Sequence, residues 1–119
     1  MAITGKWIFT AAMDVAPDKE ALFNEVYDRE HIPLITKVPG VISATRVKLD
    51  TLRMTMGGET KTMDPQGAPR YAAIYELESP EVLTSPAFAK AVDHGRWPGE
   101  VRPYTSNRRH TLYRVMGDE

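Results

Sequence analysis

His31 is the residue best placed to do chemistry, because of what precedes it. In Tyr27-Asp28-Arg29-Glu30-His31, the tyrosine lies four residues back and the aspartate three. On a helix both spacings bring a side chain to the histidine's side. Asp28 would then orient the ring and raise its basicity, and a histidine of near-neutral pKa shuttles protons to and from carbon or oxygen. The structural alternative is a helix cap, in which a partly positive ring sits at the negative C-terminal end. Both readings stand at this stage.

Four further residues could surround a substrate. Arg46 alternates with Ile42 and Ala44 and would grip a carboxylate or enolate oxygen, unless it is a surface arginine paired to a sheet neighbour. Tyr71 and Tyr75 are on one face of a strand and would line an aromatic pocket or pack a dimer interface. Trp97, in His94-Gly95-Arg96-Trp97, would close a pocket mouth or pin a long loop. His31, His94 and His110 lie far apart and lack metal-ligand spacing, so no metal site is expected. No GxSxG, P-loop or GxGxxG is present, which leaves serine-hydrolase and nucleotide chemistry without support.

The elements that must position these residues are legible. Trp7–Met13 reads as a strand rich in aromatic and β-branched residues. Pro17 opens a helix whose apolar stripe is Leu22, Phe23, Val26 and Tyr27; Pro33 limits it to about Ile32, with at most one further turn through Lys37. Val41–Leu49 reads as a second strand, launched by Pro39-Gly40, and Arg70–Leu77 as a third. Residues 50–69, with Gly57-Gly58, Pro65, Gly67 and Pro69, read as a long mobile connection with a strand extension at its start. Ser79-Pro80 and Ser85-Pro86 each start a helix, the second stopping at Gly95. Arg109–Met116 is the fourth strand, after an irregular stretch over 96–106.

The resulting order, β-α-β-β-α-β, is the ferredoxin-like α+β arrangement in one domain spanning 1–119: a four-stranded antiparallel sheet with both helices on one face. The other face is expected to carry Trp7, Phe9, Tyr71 and Tyr75 and to need a partner, most simply a second copy. With 119 residues, 42% of them hydrophobic, and a net charge of −1, the chain suits one core and has no basic field for nucleic acid or anionic lipid. RNA-recognition motifs share the strand order, but their basic-glycine-aromatic pattern is absent. The absence of cysteine excludes disulfides and thiolate sites. No stretch is long enough to span a membrane, and Trp7–Met13 lacks the core and cleavage site of a signal peptide, so a cytoplasmic protein is expected.

Tyr27-Asp28-Arg29-Glu30-His31-Ile32-Pro33, then Val38-Pro39-Gly40-Val41, Arg70-Tyr71, Tyr75–Leu83 and Ser85-Pro86 together resemble the dimeric α/β barrel superfamily, and within it the EthD-like members. The resemblance covers nearly all the chain except 50–69. It implies a homodimer with a pocket between sheet and helices, and singles out the histidine of the His-x-Pro piece, here His31. Relatives include isomerases, cyclases, lyases, cofactor-free monooxygenases and haem enzymes. Among these the residues fit best a cofactor-independent lyase- or isomerase-type enzyme moving a proton on a hydrophobic small molecule. A non-catalytic binding or accessory protein is the alternative, and haem on His94 or His110 enters only by family analogy.

Overall fold

A computed structural model describes residues 3–117. The first strand, β1 (Trp7–Val15), is followed by α1 (Glu20–Val26), a wide helical turn over Tyr27–His31 and α2 (Ile32–Thr36). Then come β2 (Val41–Lys48), β3 (Leu52–Met56), β4 (Glu59–Met63) and β5 (Tyr71–Leu77), and finally α3 (Pro86–Val92) and β6 (Thr105–Arg114). Four strands form one sheet in the order β2-β5-β1-β6, every neighbour antiparallel. This is the expected ferredoxin-like arrangement, with β3 and β4 added to it.

The helices cover the face made by Trp7, Phe9, Ala11 and Met13 of β1 and Tyr71, Ala73, Tyr75 and Leu77 of β5. Strict alternation in burial along β5 records this. Phe23 and Val26 of α1 and Ile35 of α2 close that face and are fully or almost fully buried. The four aromatics expected on the open face are therefore on the covered one. Alternation was read correctly, but its phase was inverted: β1 and β5 turn their larger side chains toward the helices, where more apolar area leaves water. The open face instead carries residues such as Ile8, Thr10, Ala72, Ile74, Val47 and Tyr113, at positions fixed by the pairing register.

The chain does not leave its helix at Pro33. Proline has no N–H to give to the carbonyl four residues back, and its ring would strike that carbonyl. The helix absorbs both problems by widening one turn earlier, where the Ile32 N–H reaches back five residues to the Tyr27 carbonyl. It then continues through Thr36, whose hydroxyl donates to the Pro33 carbonyl at 3.0 Å. Gly40 (φ +93°) makes the corner into β2, where a Cβ would overlap Val82 Cγ2.

Residues 50–69 are not a structureless connection. Leu52–Met56 pairs with Glu59–Met63 in a hairpin, with Thr55 and Thr60 hydroxyls 2.6 Å apart. Gly57-Gly58 is a two-residue turn with both φ positive, the geometry that matches strand twist, rather than a breaker. Leu52, Met54 and Met56 remain exposed along it. Ser79 and Ser85 cap their helical turns as expected, accepting from the N–H groups of Glu81 and Phe88. The stretch 96–106 is not irregular: 97–104 form two short helical turns, 105 and 106 already belong to β6, and Trp97 is buried. Among the described residues no helix is long and apolar enough to cross a membrane.

Candidate functional site

The wide turn decides which of its side chains point inward. Residues four apart stay aligned when a helix widens, whereas residues three apart swing away from each other. Tyr27 and His31 are accordingly both buried, at 2% and 6% exposure. Asp28 is turned outward and bonds Arg46 Nη1 at 2.9 Å. The expected orienting contact from Asp28 to His31 is not made, and this is a correction. His31 is also no helix cap, because helix continues on both sides of it.

His31 is held by rings. Trp97 stacks on it at 4.4 Å between centroids and 25° between planes, and Tyr27 meets it edge-on at 5.1 Å. Trp97 arrives from the turn after α3, and that turn is tied down by Glu30. The Glu30 carboxylate accepts from Arg96 N at 3.1 Å and Arg96 Nε at 2.5 Å, next to Gly95 (φ +75°). Those hydrogen bonds from Arg96 hold the Glu30 carboxyl below its usual pKa. Trp97 thus acts both as pocket wall and as loop anchor.

These residues line a cavity of about 230 Å³ between sheet and helices. Phe9, Tyr75, Phe88 and His110 line it too, with Phe9 stacked on Tyr75 at 5.7 Å and on His110 at 5.9 Å. Arg102 and Arg108 also line it. Burial pushes the Tyr27 and Tyr75 phenols above their ordinary range, so both stay protonated donors. Burial, then the Arg102 charge, lowers the His31 ring to about 4. His31 Nδ1 is buried without a hydrogen-bond partner. An orphaned buried polar atom costs about 1–3 kcal/mol, so its presence in a cavity wall marks the site.

Of the sequence candidates, Tyr27, His31, Tyr75 and Trp97 converge. Asp28, Arg46 and Tyr71 do not. Arg46 lies over the Tyr27 ring at 4.4 Å and bonds Asp28 and Asn24, bracing α1 against β2 outside the cavity. Tyr71 is buried but spends its hydroxyl on Glu20. His94 lies on another surface, with Leu34, Ala87 and Lys90. Phe9, Phe88, Arg102, Arg108 and His110 were missed as site residues. Phe9 was recoverable from strand pairing, since it sits directly opposite Tyr75; Arg108 depends on a local bulge with no signal in the apolar pattern.

No family model and no curated protein matches this chain. Solved structures do. MhuD from Mycobacterium tuberculosis, a haem degrader holding two haems in its active site, superposes with a TM-score of 0.55 at 16% identity, over 95% of this chain and 98% of that one. An EthD family protein from Bacillus halodurans gives 0.56 at 15%, over 92% and 99%. A variant of MhuD with two manganese protoporphyrins per active site gives 0.55 at 13%, over 95% and 97%. At these identities the likeness shows the fold alone, the ferredoxin-like arrangement expected from the sequence.

The buried imidazole makes stability depend on pH. Unfolded, the ring protonates near 6.5; folded, only near 4. Between these values the unfolded chain binds the extra proton, so stability is fully present above the window and falls as pH drops through it. Urea denaturation of wild type and His31→Gln at pH 7 and pH 4 should show wild type losing about 2–3 kcal/mol more than the variant. Equal losses would mean that the ring is solvated.

Proposed function

We propose that the protein binds a hydrophobic small molecule in the Phe9–Trp97 cavity and moves a proton on it with His31, as an isomerase, cyclase or lyase without a cofactor. The observation that supports this is the buried, unpartnered Nδ1 of a ring lining an aromatic cavity. A ring whose pKa lies near 4 is neutral at pH 7, so it accepts a proton without first losing one. The Tyr27–Tyr75 phenol pair, kept protonated by burial and hydrogen-bonded to each other, would donate its remaining O–H to an enolate or alkoxide oxygen as charge develops there. The pair takes the part first given to Arg46.

A tetrapyrrole is larger than a cavity of about 230 Å³. A haem would have to extend out of the open side of the cavity, and no step is assigned to it.

A second reading is favoured by a separate observation. No carboxylate orients His31, and the ring is a weak base in the empty cavity. Here the cavity binds and the proton chemistry is absent. The probe 2-tetralone, an aryl-fused ketone with acidic α-protons, separates the two when followed by NMR in D₂O. Catalysed α-proton exchange that drops about 100-fold or more in folded His31→Ala supports the enzyme. Exchange that survives in His31→Ala removes His31 from the chemistry. Binding without exchange, lost in Tyr75→Ala, supports the binding protein.

We also propose a homodimer that covers the open sheet face, in a cytoplasmic, single-domain protein. Ile8, Ile74, Val47 and Tyr113 give that face an apolar character that no helix among the described residues covers. Sedimentation at micromolar concentration should give twice the chain mass, and Ile74→Arg should give a folded monomer. A wild-type monomer contradicts the proposal.

A further inference from the structure

Proton transfer leaves the arginines of the cavity unused. Arg102 and Arg108 line it, and no aspartate or glutamate does. A lining with guanidiniums and no carboxylate favours an anionic ligand group. Arg102 is already engaged: its Nη2 donates to Asp93 Oδ1 at 2.8 Å and to the Val92 carbonyl at 2.9 Å. Arg108 makes no ion pair among the described residues.

The backbone around Arg108 is specialised. Ala12 opposes Arg109 and Asp14 opposes Ser106, so Asn107 and Arg108 together face Met13 in a β-bulge. Asn107 has φ +51°, the one positive φ outside glycine among the described residues. Its side chain latches the bulge, donating to Asp14 Oδ2 at 3.1 Å and the Gly67 carbonyl at 2.8 Å. Bulges that re-aim a side chain recur beside binding sites. Here the bulge adjoins Arg108, while His110, two residues on, is exposed and stacks on Phe9. The Arg108 charge and burial together hold His110 below its ordinary pKa, burial being the larger cause. Two imidazoles kept neutral beside two guanidiniums leave the arginines as the site's fixed charges.

We propose that the ligand of this cavity is an aromatic carboxylic acid, its rings against Phe9, Tyr75 and Trp97 and its carboxylate on Arg108 at the mouth. The proposal rests on the cavity being the ligand site, and it adds the ligand's charge. A planar carboxylate matches the guanidinium fork. The anion would also offset the Arg102 charge felt by His31, raising the basicity of that ring when the ligand is bound.

The test compares two probes of nearly one shape, 2-naphthoate and 2-naphthalenemethanol, by titration calorimetry on wild type and Arg108→Gln. Wild type should bind the acid at least about tenfold more tightly than the alcohol. Arg108→Gln should abolish that preference and leave the alcohol's affinity unchanged, which also reports an intact cavity. Equal affinity of the two probes for wild type overturns the proposal, as does a preference that survives Arg108→Gln; in either case the cavity remains a ligand site. If neither probe binds wild type, both this proposal and the ligand-site reading fail.

Discussion

Proline's missing N–H at position 33 is the constraint on which the site depends. Because the helix must pass that residue, it widens over Tyr27–His31 and transfers one hydrogen bond from the fourth residue back to the fifth. The widened turn aligns Tyr27 with His31 on the inner face and sends Asp28 outward to Arg46. A regular helix over the same residues would bring a carboxylate toward the imidazole; this one surrounds it with rings instead. Glu30, on the same turn, then anchors Arg96 and with it Trp97. One backbone irregularity thus sets both the floor of the cavity and the tryptophan that closes it.

The chemical character of the cavity follows from that arrangement. Without a carboxylate partner, burial controls the His31 ring and keeps it neutral. The same burial keeps the two phenols protonated. Arginines at the margin supply the charge, so the proposed anion recognition and the proposed proton transfer would fall to different residues of one pocket. This division leaves the ring's basicity responsive to what is bound, because an anion near Arg102 and Arg108 changes the field at His31.

Much of the fold was legible because it is written in short-range signals. The Ser79 and Ser85 caps, the Pro39-Gly40 corner and the period-two pattern of β5 each act locally, and each forms as read. The hairpin over 52–63 was not read, because Gly57-Gly58 serves equally as breaker and as tight turn, and only the alternation beside it distinguishes the two. Which sheet face the helices cover was not legible, since alternation gives the period and not the side. The site was half legible: Tyr27, His31, Tyr75 and Trp97 are named by type and spacing. Asp28, Arg46 and Tyr71 were misplaced because a three-residue spacing means contact only in a regular helix, and because buried arginine and tyrosine heads find partners such as Asn24 and Glu20 that no spacing rule reveals.

His31 is a neutral imidazole enclosed by Trp97 and Tyr27 at the wall of the cavity. Its ring resonances, followed by heteronuclear NMR from pH 8 down to pH 4 and assigned by their loss in His31→Gln, test this most directly. The ring should stay neutral through pH 7 and 6 and begin to protonate only as pH approaches about 4. A midpoint near the ordinary histidine value of about 6.5 would contradict the claim, because it would place the ring in water.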